Sequence, residues 1–443
     1  MVNIERLIQR DLKHVWHPCS QMKDFEHFPP FVVYDAKGSY LHTNQGKIID
    51  AISSWWCKSL GHGHPEVISA IQQQLLSFEH VIAANSTNEK IIELAETLSA
   101  ITKRQHVFFA SDGSCAVEIA MKLAIQACQH KGQNRRLEFA SLKNGYHGET
   151  LAALSVSDVG IYKKPFQHFG LNCHFLQSIP YVTGKDDPLW HDSSSEWAKA
   201  LLFLEPIKEK LCAIIVEPIV QGAGGMLCYS ADFLKKLALW AKRNEVYLIA
   251  DEIMTGFGRT GTWLALEHGE VNADFICLSK GLTSGSIPLS AVLIDNPVYE
   301  LFYDDYHSGK SFLHSHTYSG NPLGVSAALA TIRFMQSNRI IEKANETGSY
   351  LCERFTSVAQ QSGKLSNIRS LGAWVAGDLE CTEHERFGFE IYQEALKRGA
   401  FLRPLGNTIY WLPPLTIEHD TIDKLAEITL DSIHAVYQKR HKA

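Results

Sequence analysis

The feature that most constrains the fold is an alternation of short apolar runs with helical patterns between about residues 105 and 295. Such alternation is typical of an α/β protein whose mostly parallel sheet carries helices on both faces. The stretch from 115 to 130 supports this, because its apolar residues recur at helical spacing on one face. The predicted strands of the sheet are HVFFA, RLEFASL, LCAIIVEP, VYLIAD, FICLS and LSAVLI.

The two ends of the chain differ from this central region. Their patterns indicate shorter strands and amphipathic helices, including a terminal helix over TIDKLAEITLDSIHAVYQK. A chain of 443 residues is long enough for two domains with their own cores. The sequence therefore predicts a large domain over 61–325 and a small α+β domain assembled from 1–60 and 326–443.

Composition excludes several classes of function. The net charge of -6 gives no basic footprint for nucleic acid or for an anionic membrane surface. No segment reaches roughly 18 continuous apolar residues, the length that a membrane-spanning helix needs. The first turns carry charged side chains where a signal peptide would need an apolar stretch. We therefore expect a soluble protein that acts on small molecules.

Cysteine and histidine usage is informative about compartment and metals. Ten cysteines are scattered without a C-x-x-C pair, which favours reduced thiols in the cytoplasm. The histidine pairs His62/His64 and His314/His316 lie in Gly/Ser-rich turns, and no cysteine or carboxylate cluster beside them completes a tetrahedral site. No metal is predicted.

Two polar residues close apolar runs in the middle of the chain. Asp251 ends VYLIAD and Lys280 ends DFICLSK, 29 residues further on. A carboxylate buried at a strand end is costly unless it meets a cation. The pair suits pyridoxal phosphate, because the lysine can condense with its aldehyde and the carboxylate can pair with its protonated pyridine nitrogen. Two unrelated residues that face water are the alternative that this pair alone leaves open.

Two further segments could hold such a cofactor. The turn Ser-Asp-Gly-Ser at 111–114 lies between a predicted strand and a helix, where backbone N–H groups and the Ser114 hydroxyl can bind a phosphate. Simple capping of the helix by Ser114 is the alternative. Tyr146 lies in NGYHGET, between glycines that allow a flat ring to approach and stack. A tyrosine packed on a loop is the alternative there.

The segment GFGRTG at 256–261 matches G-x-G-x-x-G and follows a predicted strand, which invites a dinucleotide-binding interpretation. Only about a dozen residues separate it from the next strand, too few for the crossover helix of a nucleotide-binding βαβ unit. We interpret its glycines as turn residues and Arg259 as a candidate partner for an anion or a carboxylate.

Aromatic and basic residues near both ends of the chain suggest a substrate pocket. On a strand, the adjacent Trp55 and Trp56 would point to opposite faces, so that at most one would line a given pocket. Tryptophan can receive a cationic ligand group, although core packing is the common role. Arg403 precedes a proline, and Tyr410 follows in an apolar run. A guanidinium held in this way suits a substrate carboxylate, with a surface salt bridge as the alternative.

Together these motifs resemble those of the class III, fold-type I pyridoxal-phosphate aminotransferases, over almost the whole chain. The resemblance to the class rests on ADEIMTGFGRTG, CLSKGLTSG and HTYSGNPLG. Within the class, the resemblance is to the branch that transfers the amino group of S-adenosylmethionine to 8-amino-7-oxononanoate in biotin biosynthesis. That narrower resemblance rests on WHP, SSWW, NGYHG, EPIVQGAGGM and the segment with Arg403 and Tyr410.

The resemblance implies a role for each motif residue at the cofactor. Lys280 would carry pyridoxal 5'-phosphate and move a proton, Asp251 would hold the pyridine nitrogen, and Tyr146 would stack near the ring and face the substrate. Two subunits of a homodimer would share each site. The residues implied at the phosphate are Gly113 and Ser114 of one subunit with His316 and Thr317 contributed from the other.

The resemblance also implies a substrate site that takes a sulfonium nucleoside and then a fatty amino-keto acid. Arg403 would bind the carboxylate of the oxononanoate. The other residues implied at the substrate are Trp55, Trp56, Tyr146, Lys280 and Ser315.

Three positions depart from the pattern of that branch. Glu149 replaces an aspartate, and His316 stands where proline is frequent. Cys19, in WHPCSQM, replaces a tyrosine whose ring is expected to stack on adenine. The amino donor is therefore open between S-adenosylmethionine, lysine with the same acceptor, and the ω-amino acids or polyamines of related transaminases. Candidates for a replacement ring are Phe25, Phe28 and Phe31.

Overall fold

The structure, a computed structural model, describes residues 3–382 and 385–441. The strands of this described part are, in chain order, β1 (Val33–Lys37), β2 (Tyr40–Thr43), β3 (Gly46–Asp50), β4 (His106–Ala110), β5 (Glu138–Leu142), β6 (Cys173–Leu176), β7 (Tyr181–Val182), β8 (Leu211–Val216), β9 (Val220–Gln221), β10 (Leu227–Tyr229), β11 (Tyr247–Asp251), β12 (Phe275–Leu278), β13 (Ser290–Ile294), β14 (Leu365–Ser370), β15 (Val375–Leu379), β16 (Ala400–Phe401) and β17 (Thr408–Trp411).

The helices surround these strands. The α-helices are Ile4–His14, Pro65–Leu75, Glu89–Thr102, Gly113–His130, Leu151–Ser155, Ser194–Leu204, Ala231–Arg243, Asn296–Tyr299, Pro322–Ser337, Ile340–Ser362, Phe387–Arg398 and His419–His441. Short 3₁₀ helices occupy Met22–Glu26, Gly160–Tyr162, Lys164–Phe166, Pro188–Trp190, Ala265–Gly269, Lys280–Thr283 and Tyr306–Ser308. A further helical turn, Ser53–Trp56, is left-handed and belongs to the candidate site. No helix in the described ranges is long and apolar enough to cross a membrane.

The central sheet has seven strands in the order β4-β13-β12-β11-β8-β5-β6. β13 runs antiparallel to both of its neighbours, and the other pairings are parallel. Every residue of β8, β11 and β12 is buried, because both faces of the sheet are covered. This is why these strands are continuous apolar runs in the sequence. The prediction of a mostly parallel α/β sheet is confirmed.

The two ends of the chain meet in smaller sheets. One has the order β1-β2-β3-β16 and joins residues 33–50 to residues 400–401, and another has the order β14-β15-β17. A separate cluster of buried side chains lies among these strands and the last helices. The helix Pro322–Ser337 runs across residue 325. The division into 1–60, 61–325 and 326–443 stays a prediction.

The direction of the central strands decides where a site can form. β4, β5, β8, β11 and β12 all run in the same direction, so that their carboxyl ends meet at one edge of the sheet. In open α/β sheets this edge is where ligands bind. The segment between β11 and β12 contains turns and only a short 3₁₀ helix, Ala265–Gly269, which agrees with the interpretation that GFGRTG is not a nucleotide-binding βαβ turn.

Candidate active site

A cavity of about 370 Å³ lies at the carboxyl edge of the central sheet. Several lining residues lie at or directly after the ends of different strands, among them Ser111, Glu217, Asp251 and Ser279, so the sheet itself sets the relative positions of these four. Residues predicted at the site and found in its lining are Trp56, Gly113, Ser114, Tyr146, Asp251 and Lys280. Residues that the sequence analysis did not single out, and that also line it, include Cys57, His147, Glu217, Met254 and Thr283.

Lys280 lies just after β12 and is the first residue of a short 3₁₀ helix. The backbone of Lys280 itself has a left-handed conformation, with a φ of 40°. Burial lowers its pKa, and the negative charges of Asp251 and Glu217 oppose that shift. The amine nitrogen lies 4.6 Å from the centre of the Trp56 ring. A lysine whose pKa is lowered is neutral, and therefore nucleophilic, in a larger fraction of molecules at a given pH.

Asp251 is the last residue of β11 and is 4% exposed. Its Oδ2 accepts a hydrogen bond from Nδ1 of His147 at 2.8 Å, and its Oδ1 accepts from the Ile253 N–H at 3.2 Å. His147 is itself buried, and its Nε2 lies 3.3 Å from the Ser141 hydroxyl. The hydrogen bonds from His147 and from the Ile253 N–H thus hold the Asp251 carboxylate in one orientation. The sequence analysis missed His147, although its position directly after Tyr146 in NGYHG was the available signal.

Glu217 is a second buried carboxylate, placed directly after β8. Its Oε1 accepts from the backbone N–H of Tyr146, and its Oε2 from that of Gly222, both at 2.9 Å. Burial raises the pKa of Glu217 to about 7, with His147 lowering it and Asp251 raising it. Glu217 therefore fixes the loop that carries Tyr146. It was also missed, although a charged residue that ends the apolar run LCAIIVEP is the same signal as Asp251.

The amino end of helix Gly113–His130 forms another wall of the cavity. The cap of this helix is Asp112, whose side chain accepts from the Cys115 N–H at 3.0 Å, so capping is not the role of Ser114. Gly148 lies against Ser114, where a Cβ atom would come within 2.3 Å of the serine oxygen. The loop after β5 can therefore approach the helix only because residue 148 is a glycine.

These groups fit pyridoxal phosphate. The helix end with Gly113 and Ser114 offers backbone N–H groups to a phosphate, and the Lys280 amine, whose pKa burial lowers, suits an aldehyde. A buried carboxylate at Asp251 suits a protonated ring nitrogen, which would supply the positive charge that offsets its burial. Tyr146 also lines the cavity, and its hydroxyl donates to Glu149 at 3.0 Å. Burial raises the pKa of Tyr146, with Glu149 adding to the shift.

The two tryptophans predicted at the substrate differ in position, because Trp56 lines the cavity and Trp55 lies outside its lining. The strand conformation considered for SSWW is wrong, because residues 53–56 form a left-handed turn. Trp56 is 5% exposed and donates from Nε1 to the Tyr410 hydroxyl at 3.0 Å. Trp55 is 39% exposed, and the guanidinium of Arg403 lies 4.8 Å from its ring centre. Each indole therefore contacts a basic side chain of the candidate site, Trp56 that of Lys280 and Trp55 that of Arg403.

Arg403 also donates to the backbone carbonyl of Cys19 at 2.8 Å. Neither of these contacts supplies a negative charge, so the guanidinium can still bind an anion. Cys19 contacts a residue that the sequence analysis missed, since its Sγ lies 2.7 Å from the hydroxyl of Tyr162. No motif marked Tyr162, which is 143 residues away in the chain.

The three phenylalanines proposed as a replacement ring contact other groups. Phe28 and Phe31 pack against a small apolar cluster, and Phe25 lies 4.9 Å from the ring of His17. Arg259 is buried and donates to the carbonyl oxygens of Ala373 and Pro413, both at 2.8 Å. It ties backbone segments together here, in place of the anion or carboxylate contact considered from sequence.

The segment 315–317 lies outside the lining of this cavity. Ser315 and Thr317 are exposed, and His316 is half-buried with an Nε2 that has no hydrogen-bond partner among the described residues. His316 nevertheless lies close enough to Asp112 to help lower the pKa of that carboxyl group. The roles of Ser315, His316 and Thr317 stay predictions.

The chain belongs to the aminotransferase class-III family, whose model matches residues 22–433. It is therefore a pyridoxal-phosphate-dependent aminotransferase of fold-type I that acts on small molecules, and pyridoxal phosphate is its cofactor. It is 38% identical over 425 residues to the adenosylmethionine-8-amino-7-oxononanoate aminotransferase of Helicobacter pylori, covering 95% of this chain and 96% of that protein.

Solved structures show the same fold. The crystal structure of adenosylmethionine-8-amino-7-oxononanoate aminotransferase from Methanocaldococcus jannaschii matches with a TM-score of 0.90 and 30% identity, covering 98% of this chain and 99% of that one. An amine transaminase from an uncultivated Pseudomonas species matches with a TM-score of 0.86 and 30% identity, covering 96% and 98%. The fold alone thus fits both kinds of transaminase, and the substrate side of the site must distinguish them.

Proposed function

We propose that this chain transfers the amino group of S-adenosylmethionine to 8-amino-7-oxononanoate, giving 7,8-diaminononanoate in biotin biosynthesis. The observation that carries the proposal is the pairing of Arg403 with Trp55 beside the cavity of Lys280 and Trp56. It combines an anion anchor with an aromatic wall. The names of the relatives from H. pylori and M. jannaschii support the same reaction.

The two proposed substrates make different demands that these residues can meet in turn. S-adenosylmethionine carries a sulfonium charge, which the face of an indole attracts. The oxononanoate carries a carboxylate at the far end of an aliphatic chain, which a guanidinium binds with geometric specificity. Trp56, which lines the cavity, offers an apolar ring to the rest of each substrate. One pocket can therefore accept both substrates alternately.

The cofactor, when bound, supplies an electrophilic aldehyde and a ring that withdraws electrons from the substrate carbon. We propose that Asp251 keeps a proton on the ring nitrogen and that His147 keeps Asp251 aimed at it. Lys280 holds the cofactor and then carries the proton removed from the substrate carbon on its Nζ. Gly113 and Ser114 hold the phosphate, and Tyr146 confines the ring and faces the substrate.

We propose further that the active unit is a homodimer in which His316 and Thr317 reach the partner's site, and that Ser315 contacts the substrate. Apolar side chains exposed on the single chain support this, among them Ile82 at 59%, Leu313 at 88% and Tyr318 at 58%. Ala83 and Ser319, which follow Ile82 and Tyr318 in the chain, line a surface groove together with Ile91 and Phe108 among others. Apolar surface of this kind marks protein interfaces.

The shared site can be tested by mixing two defective chains. Co-expression of Lys280→Ala with a His316→Ala/Thr317→Ala chain creates mixed dimers, and one site of each keeps every predicted residue. Activity above that of either chain alone is expected. Activity equal to the sum of the separately purified variants would assign each site to a single chain.

A cytoplasmic location is also part of the proposal. All ten cysteines are free thiols in the structure, and even the buried neighbours Cys128 and Cys212 keep their sulfur atoms 3.8 Å apart. This supports a reducing compartment.

A single half-reaction tests the proposed donor. S-adenosylmethionine is added alone to the cofactor-loaded protein, and the visible absorbance of the lysine-bound cofactor is followed. We expect that absorbance to fall and to return when 8-amino-7-oxononanoate is added. No change with S-adenosylmethionine, together with a fall caused by lysine or another amine, would transfer the function to that donor.

A further inference from the structure

Residues 53–56, the left-handed turn, all have positive φ angles, at 50° for Ser53, 45° for Ser54, 71° for Trp55 and 72° for Trp56. None of them is a glycine. Left-handed backbone costs an L-residue roughly 1–2 kcal/mol, and bulky side chains do not adopt it without support. A run of four such residues therefore persists only if surrounding contacts hold it.

The contacts that hold the turn converge on Asp50, the last residue of β3, which is fully buried. Its Oδ1 accepts from the backbone N–H groups of Ile52 at 3.3 Å and Ser54 at 3.0 Å. Its Oδ2 accepts from the Ser54 hydroxyl at 2.7 Å and from Nε2 of His62 at 2.8 Å. Both oxygens are used, and three of the four contacts go to the turn or the residue before it.

His62 is anchored in its own right. Its backbone exchanges two hydrogen bonds with Gly38, at 2.8 and 2.9 Å, and this fixes the ring against the sheet that contains β3. The Asp50 carboxylate is therefore clamped between a fixed histidine and the start of the turn. Ser53 adds a contact from the other side, where its hydroxyl donates to the carbonyl of Leu412 at 2.8 Å.

The turn decides where the two indoles go. It directs Trp56 toward Lys280 and Tyr410, and it directs Trp55 toward Arg403. Asp50 also pairs with Phe401 of β16 in the small sheet, two residues before Arg403. The segments that carry Trp55 and Arg403 thus leave the same sheet side by side.

We propose that Asp50 is a positioning residue, which with His62 holds the left-handed turn and so sets both tryptophans against the substrate. Its effect on turnover rests on the proposed function of Trp55, Trp56 and Arg403. Its effect on the positions of the indoles does not. Asp50 is not itself among the groups that line the cofactor cavity, and it acts there only through the position of Trp56.

The test uses the cofactor-loaded protein with 5-fluorotryptophan in place of its nine tryptophans. Fluorine NMR signals of Trp55 and Trp56 are assigned by Trp55→Phe and Trp56→Phe. In Asp50→Asn, an NH2 group replaces the carboxylate oxygen that faces Ser54 and His62. This nitrogen cannot accept the hydrogen bond that the Ser54 hydroxyl donates in the wild type. We expect these two signals to shift or broaden, the others to stay, and the visible absorbance of the lysine-bound cofactor to be retained.

The amino-group half-reaction of Asp50→Asn should slow by about 10- to 100-fold, the scale of a broken buried hydrogen-bond cluster. Asp50→Asn/Ser54→Gly should recover part of that loss, because glycine takes the left-handed conformation without strain. A general loss of stability would move every fluorine signal and cofactor loading together. The control is Asp274→Asn, a half-buried carboxylate that also accepts a backbone N–H, from Leu248 at 2.8 Å, but lies before β12 at the opposite edge of the sheet.

If Asp50→Asn does not fold, His62→Gln removes one partner of the same oxygen and should move the same two signals in a milder way. Unmoved Trp55 and Trp56 signals in the folded variant would overturn the proposal, as would an unchanged half-reaction. The half-reaction is measured with whichever amine discharges the wild-type protein. If S-adenosylmethionine does not discharge the wild-type protein, the proposed donor is wrong, and the role of Asp50 can still be tested with another amine.

Discussion

The cofactor side and the substrate side of this site are built in different ways. The cofactor side takes its groups from the carboxyl ends of parallel strands of one sheet, as at Asp251, the last residue of buried β11, and Glu217, directly after buried β8. The substrate side collects residues from separate parts of the chain, where Tyr162 contacts Cys19, Cys19 contacts Arg403, and Arg403 contacts Trp55 of the turn 53–56. Strands in a packed sheet cannot shift singly, whereas contacts between loops can change one at a time.

This difference separates chemistry from specificity. The cofactor side is fixed by the fold that all class III aminotransferases share, so its chemistry follows from a few strand ends. The substrate side depends on which loop residues meet, and single replacements there can change the substrate while the fold stays the same. Variants of the two sides should therefore fail differently, the first in chemistry with every substrate and the second with particular substrates.

The largest effect is expected for Lys280→Ala. Loss of the amine should slow transamination with every donor by at least about 10²–10⁴-fold, the usual scale for a positioned acid–base group. Turnover and thermal unfolding are measured together, and folding should persist because Lys280 lines a cavity. Lys235→Ala, which removes an exposed lysine paired with Glu270, is the control and should be unaffected. Turnover retained by Lys280→Ala would remove the lysine from the mechanism.

Arg403→Ala should discriminate between the substrates. Loss of one charge-assisted anchor should lower kcat/KM for the keto-acid half-reaction by about 1.5–3 kcal/mol. The amine half-reaction and cofactor absorbance should change less. Arg398→Ala removes a neighbouring arginine that binds Glu394 on the same helix and serves as the control. Equal losses in both half-reactions would contradict the assignment of Arg403 to the carboxylate.

Glu217→Gln should change how the free energy of unfolding depends on pH, because it removes the ionisable group of the buried Glu217. The pKa of Glu217 is raised from 4.5 to about 7, so between these values the folded state holds a proton that the unfolded state has released. The free energy of unfolding therefore falls as pH rises, and the contribution of the protonated form is lost as pH passes about 7.

Glutamine resembles the protonated form at every pH. Relative to wild type, the cofactor-free Glu217→Gln protein should gain about 1–2 kcal/mol in free energy of unfolding between pH 5 and pH 6.5. Urea denaturation at several pH values measures this gain. A difference that does not depend on pH would mean that Glu217 ionises normally.

The sequence predicts the cofactor side of the site better than the substrate side. Asp251 and Lys280 each end a continuous apolar run. Such a run can be recognised in the sequence without knowledge of what it packs against. Trp55 and Trp56 were recognised from the sequence, but their conformation was not, because it depends on Asp50 and His62. The contacts of His62 with Asp50 and Ser54 join residues that are twelve and eight positions apart in the chain. No propensity predicts four non-glycine residues in that conformation.

Tyr162 could not be found from the sequence for a different reason. Its contact with Cys19 spans 143 residues, and a tyrosine in a short 3₁₀ helix has no pattern that points to a partner. Only the folded chain brings the two side chains together. The same holds for the contact between Arg403 and the Cys19 carbonyl, which spans 384 residues.

The smallest expected effect is at this pair. Burial and Cys19 raise the pKa of Tyr162, so its hydroxyl keeps its proton and can bond to the Cys19 sulfur. Tyr162→Phe and Cys19→Ala should each lower kcat/KM for the amino donor by about 0.5–1.5 kcal/mol, the value of one hydrogen bond. If the pair acts as a unit that supports Arg403, the double variant should lose less than the sum of the two. Additive losses, measured on the donor half-reaction, would make Tyr162 an independent neighbour of Cys19 and leave the substrate side held by Trp55 and Arg403 alone.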